Sequence, residues 1–154
     1  MNSGDRLTRR GLLAGIAVVT ATGPATGASQ KDPLSGVVVL VDSNDPYVMG
    51  HTIGYSVNLS KHFAEKQVDM PIEVVANGKG IDLFRADKTT LTEQLIALKQ
   101  IFPRVTYSVC DSSKKIAEAK ERTSISLVPG VGLVPFGIGR VVDLQMAGWA
   151  YIHA

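Results

Sequence analysis

Arg104-Val105-Thr106-Tyr107-Ser108-Val109-Cys110-Asp111-Ser112-Ser113-Lys114-Lys115 runs a strand straight into a helix, with the chain's single cysteine at the join. Val105, Tyr107 and Val109 alternate with Thr106 and Ser108, the period of two that marks a strand. Asp111, Ser112 and Ser113 are residues that cap helix N-termini, because their side-chain oxygens accept from otherwise orphaned amides. The pattern therefore places Cys110 at the carboxyl end of a strand. In an open parallel sheet that is where ligand sites form, since the loops fan apart there and the following helix points its amides into the gap.

Working outward, Val37-Val38-Val39-Leu40-Val41 is an unbroken, mostly β-branched run, as expected of a strand buried on both faces. It ends in the turn-forming cluster Asp42-Ser43-Asn44-Asp45-Pro46. Ile53, Val57, Leu59 and Phe63 recur at roughly helical spacing between Tyr47 and Lys66, interrupted by Gly50 and Gly54. A second strand is expected over Pro71–Asn77. A short helical turn follows at Ile81–Phe84, then an amphipathic helix over Thr89–Leu98 capped by Thr89 or Thr90. After a flexible connection through Gly132, Leu133-Val134-Pro135 reads as a strand end. Gly137 to Met146 reads as a helix closed by Gly148, and Trp149–His153 as a last strand. Strands alternating with helices imply an α/β fold: a parallel sheet with helices on both faces, flavodoxin-like in outline.

A thiol at such a strand end lies in a favourable field. The helix N-terminus and the cations Lys114 and Lys115 stabilise a thiolate, while Asp111 acts against it. The competing reading is that Cys110 is a small buried hydrophobe. Asp42, Asn77 and Phe136 are expected at neighbouring strand ends and, with Asp111, to shape the crevice. His51, near a helix start, is a further candidate to line it. Gly78-Lys79-Gly80 lacks the longer spacing of a phosphate loop. There is no G-x-S-x-G elbow, no HExxH and no cluster at metal-ligand spacing, which argues against a hydrolase and leaves no metal or organic cofactor to expect.

The first residues do not read as fold. Arg6, Arg9 and Arg10 precede the apolar run Leu12–Val19 and then small residues through Ala28, the pattern of an export signal. The pair Arg9-Arg10 before a mildly apolar segment is similar to a twin-arginine signal, which would engage the Tat export machinery and deliver the protein to the periplasm. Cleavage after Ala28 would leave residues 29–35 as a mobile arm and 36–154 as one domain. It would also remove Asp5 with those three arginines, and with them the formal charge of +2. The neutral remainder gives no support to nucleic-acid binding. With 45% hydrophobic residues and one cysteine, that domain stands on packing alone, without an internal disulfide.

Several pieces resemble the DsrE/DsrF-like family, especially its small exported members: Ile72–Gly78, a strand ending in Cys110, Val134-Pro135 through Gly139, Leu144-Gln145, and Gly148-Trp149-Ala150-Tyr151-Ile152. The resemblance spans roughly Val37 to the C-terminus. It implies a small α/β domain of the DsrEFH type, assembly into trimers or hexamers, and a cysteine, here Cys110, that carries persulfide sulfur between a donor and an acceptor protein. Exported relatives commonly follow that cysteine with glycine and asparagine, whereas this chain has Asp111 and Ser112. A non-catalytic periplasmic binding or assembly module with an inert cysteine is the alternative.

Overall fold

The computed structural model describes residues 34–154. The expected signal over residues 1–28 lies outside the described residues, as does most of the arm at 29–35. Five strands, β1 (Gly36–Val41), β2 (Ile72–Ala76), β3 (Val105–Cys110), β4 (Val131–Val134) and β5 (Trp149–His153), form one sheet in the order β4-β3-β2-β1-β5. Every pairing is parallel. The helices are α1 (Pro46–Glu65), α2 (Thr92–Ile101), α3 (Asp111–Glu121) and α4 (Gly137–Met146), with a 3₁₀ segment at Gly78–Phe84.

The strand order explains which face each helix covers. From β1 to β4 the chain steps in one direction, and right-handed crossovers place the connecting helices on one face. There Val39, Val74 and Tyr107 pack with Leu95 and Leu98 of α2, Phe84 of the 3₁₀ segment, and half-buried residues of α1 and α3. The chain then reverses, crossing back to place β5 beyond β1, so α4 lies on the opposite face. Its Val141 and Leu144 pack on Val38, Leu40 and Val75. Helices on both faces were expected; their division, with α4 alone on the second face, follows from this single reversal.

Several expected boundaries move for local reasons. Gly50 and Gly54 do not interrupt α1, because both positions face open space and only forgo side-chain packing. Asp45 starts that helix, its carboxylate accepting from the Tyr47 N–H at 2.8 Å. Thr89 does not cap α2. Its hydroxyl accepts from Leu91 N–H in the preceding turn, and the helix begins at Thr92. β4 starts at Val131, two residues before the expected strand end, because Val131 and Gly132 already pair with Tyr107 and Ser108. Gly148, with φ of 83°, ends α4 as expected, its N–H donating to Gln145 O at 3.0 Å.

Candidate functional site

The reversal of the chain also fixes where a site can form. β3 leaves the sheet toward α3 on the first face, and its neighbour β4 leaves toward α4 on the second, so the two exits diverge. Such a divergence opens a crevice at the carboxyl ends of adjacent parallel strands. Cys110 is the last residue of β3 and pairs with Val134 at the end of β4. It is also the N-cap of α3, its sulfur accepting from the Ser113 N–H at 3.4 Å.

One donor is hydrogen-bonded to the sulfur, the Ser113 N–H. Burial, with 4% of the residue exposed, opposes ionisation and is the largest single influence. The dipoles of the Ser113 hydroxyl and of the Gly137, Ser113 and Ser112 amides together outweigh it and hold the thiol below its ordinary value, with the Ser113 N–H alone hydrogen-bonded to the sulfur and the Ser112 N–H donating to Pro135 O at 3.3 Å. The first turns of two helices thus lie beside one residue: Ser112 and Ser113 belong to α3, and Gly137, packed against Cys110, is the first residue of α4. Gly137 is needed for this approach. A Cβ there would lie 3.0 Å from both Cys110 Cβ and Asn77 Oδ1. Asn77 follows β2 and accepts from Ser113 Oγ at 3.4 Å, while Ser113 Oγ accepts from Gly78 N–H at 3.0 Å.

The expected residues divide into two groups. Asn77, Asp111 and Phe136 do flank Cys110; Phe136 is the N-cap of α4 and is 69% exposed. Asp42 does not, since its carboxylate turns to the far edge and meets His153 Nε2 at 3.1 Å. His51 does not line the crevice either. It stacks between Tyr47 and Tyr55 on the exposed side of α1, opposite the buried Thr52 and Ser56. The expected lysine contribution is also revised. Lys115 pairs with Asp111 at 2.7 Å and Lys114 with Glu118 at 2.5 Å, so these charges satisfy one another along α3, and the hydrogen bond to the sulfur comes from the Ser113 N–H. The sequence reading missed Ser113 as the donor to the sulfur and Gly137 as the residue packed against Cys110. A serine three residues after the cysteine carried a signal only as a cap, and Gly137 reaches the site through the α4 crossover, which no local pattern reveals.

Two concavities are lined by neighbours of Cys110, though Cys110 itself lines neither. One, of about 350 Å³, lies on the first face and is lined by Ser113, Gly78, Lys79 and Ile116, with Arg85 and Glu121 at its far side. The other, of about 300 Å³, lies beside the first turn of α4 and is lined by Val134, Pro135, Phe136 and Arg140. A third, about 360 Å³ and mostly apolar, sits between α1 and β5 with no residue of the Cys110 surroundings in its walls. Among the described residues no group of three or more His, Cys, Asp or Glu could hold a metal ion.

A family model, the DsrE/DsrF-like family, matches residues 36–154. The chain belongs to the DsrE/DsrF-like family. That match covers the whole sheet and every residue around Cys110. Among solved structures, the protein of unknown function MTH1491 from Methanobacterium thermoautotrophicum is similar at 27% identity and a TM-score of 0.64, covering 77% of this chain and 97% of its own. The ychN protein from E. coli shares the fold at 9% identity and a TM-score of 0.54, covering 79% of this chain and all of its own. A search of curated proteins finds no match.

Proposed function

We propose that this protein is a sulfur carrier acting through a persulfide on Cys110. The observation that carries the reading is a lone sulfur that accepts the Ser113 N–H of α3 and has the first turn of α4 packed beside it, at the diverging exits of β3 and β4. Membership of the DsrE/DsrF-like family suggests a sulfur-relay role and supports it. In the loading step the Cys110 thiolate attacks the sulfane sulfur of a persulfide, R–S–SH. A new S–S bond forms, the old one breaks, and R–S⁻ leaves with the electron pair. In the delivery step an acceptor thiolate attacks the terminal sulfur, takes it as its own persulfide, and Cys110 leaves as thiolate. Neither step changes the overall oxidation state or requires a cofactor.

The donors around the sulfur suit both steps, because Cys110 carries negative charge at the start of loading and at the end of delivery. Burial limits oxidation by small oxidants to what can pass Phe136 and Ser113. The test is mass spectrometry of the intact protein after incubation with polysulfide. Addition of sulfur at Cys110, removable by dithiothreitol, supports the carrier; no added sulfur on folded protein sinks it. The 4% exposure of Cys110 favours a second reading, an inert cysteine in a binding or assembly module. Labelling by a thiol reagent at neutral pH separates the two: fast on the native protein for a carrier, slow until unfolding for the module.

The same reading includes export and self-association. The Arg9-Arg10 pair ahead of Leu12–Val19 supports delivery by the Tat route, and a reporter fused to residues 1–28 should lose export when both arginines become lysine. Ile138, Val142 and Met146 form an exposed apolar stripe on α4, 48–83% accessible, that supports assembly with further copies of this chain. Elution at the mass of a monomer would count against that assembly.

A further inference from the structure

Glu73 is a carboxylate planted on the sheet itself, 4% exposed, on the face that α4 covers. Ser108 Oγ donates to its Oε1 at 2.7 Å. Arg140 grips it with both arms of its guanidinium, Nε to Oε1 at 3.0 Å and a terminal nitrogen to Oε2 at 2.7 Å. The rest of the α4–sheet contact is apolar, through Val141 and Leu144. A buried ion pair in such a place is weak evidence of added stability, because desolvation offsets the attraction. A two-pronged guanidinium–carboxylate contact does fix position, since it sets both the height and the rotation of the helix.

The position it fixes is that of the first turn of α4. Arg140 N–H donates to Phe136 O at 3.0 Å, closing the turn that contains Gly137. Gly137 in turn packs against Cys110 and Asn77 so closely that its missing Cβ is what admits it. We propose that the Glu73–Arg140 pair is a positioning device for Cys110: by pinning the first turn of α4 to β2, it keeps Gly137 and the amide end of α4 packed against Cys110 and so sets the nucleophilicity of the thiol.

The pair acts by geometry rather than by charge. Glu73 sits opposite Thr106 in the register, four residues before Cys110, a separation of about 13 Å at ~3.3 Å per residue. Its charge is matched by Arg140. The other charged groups near the sulfur are Asp111 and Lys114 of α3, each paired along its own helix, Lys79 of the 3₁₀ segment, and Asp143 one turn further along α4. β4 contributes none.

The inference rests on the reading of Cys110 as a reactive thiolate, and one set of measurements keeps the two apart. The pH dependence of Cys110 alkylation by iodoacetamide is recorded for the full chain, for Glu73→Gln and for Arg140→Lys, with the urea-unfolded protein as reference and a thermal melt for each variant. Positioning predicts that Glu73→Gln raises the pH midpoint toward that of the unfolded thiol and slows alkylation at neutral pH about two- to fivefold, the worth of a helix N-terminus drawn back from a negative charge. Arg140→Lys, which keeps the charge but loses the fork, should fall between it and the natural protein. Direct electrostatics predicts the opposite sign for Glu73→Gln, because removing a negative charge favours the thiolate. A lowered or unchanged midpoint overturns the proposal. Should Glu73→Gln fail to fold, an unchanged Arg140→Lys profile overturns it, and loss of fold in both variants marks the pair as a fold element and does the same. If the natural protein is slow until unfolded, the carrier reading falls; if it is fast and Glu73→Gln is equally fast, only the positioning inference falls.

Discussion

The two ends of α3 handle negative charge by opposite means. At its start the Cys110 sulfur is met by the Ser113 N–H, with no cation bonded to it. At its end Glu121 is clamped by Arg85 through two bonds of 2.8 and 2.7 Å and by Lys88 at 3.0 Å. Arg85, 1% exposed, also holds Asp87 with both arms and reaches Asp82 at 3.5 Å. Neutral donors lower the thiol modestly and leave it able to lose and regain a bond. Full charge pairing drives Glu121 down to about 2 and Arg85 upward, which fixes both permanently. The first arrangement suits a group that must react, the second a joint that must not move.

Removing the centre of either arrangement gives the largest contrasts. Cys110→Ser should abolish sulfur uptake and thiol labelling altogether, because the chain has no other cysteine; residual labelling by mass spectrometry would show chemistry elsewhere. Arg85→Leu should leave labelling of Cys110 almost unchanged while destabilising the fold. It strands Asp82, Asp87 and Glu121 without their main partner, and since Asp87 and Glu121 are part-exposed the loss should be about 2–3 kcal/mol, short of the ~3–5 of a fully buried pair. Urea unfolding measures it, and a coupled loss of labelling would erase the distinction between the two ends.

Gly137→Ala should do the reverse at smaller scale. The new methyl group meets Cys110 and Asn77 at 3.0 Å, so the α4 turn must retreat by a few tenths of an ångström, drawing its amide end back from the sulfur. Alkylation at neutral pH should slow about three- to tenfold. Ser113→Ala should act in the same direction, since the hydroxyl is lost while the Ser113 N–H to the sulfur remains. A rate unchanged in both variants would mean that the donors do not tune the thiol.

The smallest effect is in acid. Glu121 and Asp87 have folded values below their ordinary ones, so their pairing stabilises the protein above the ordinary carboxylate range. That contribution fades as pH falls from about 4.5 toward about 2. Arg85→Leu should flatten this part of a stability-against-pH curve, and an identical acid limb in the variant would count against the pairing.

The parts of the molecule that the sequence discloses are those built from neighbours along the chain. Val37–Val41 announces a doubly covered strand because both faces demand apolar residues. Val105–Lys115 announces the strand-to-helix join because alternation and caps are adjacent. The Arg85 network escaped notice because its members, 36 positions apart at Glu121, meet only in three dimensions. Asp42 and His51 were expected at the crevice by strand-end and helix-start logic. That logic does not say which strand neighbours which, and the order of the sheet puts both on the far side of β2 from Cys110.

The return crossing of α4 also gives the site a history. β3 and Cys110 leave the ribosome before Gly137 does, and β5 finds β1 only after more than a hundred intervening residues have been ordered, a slow, high-separation closure. The newly made thiol therefore has at first only its own helix to cap, and the packing of Gly137 is added once α4 has crossed back.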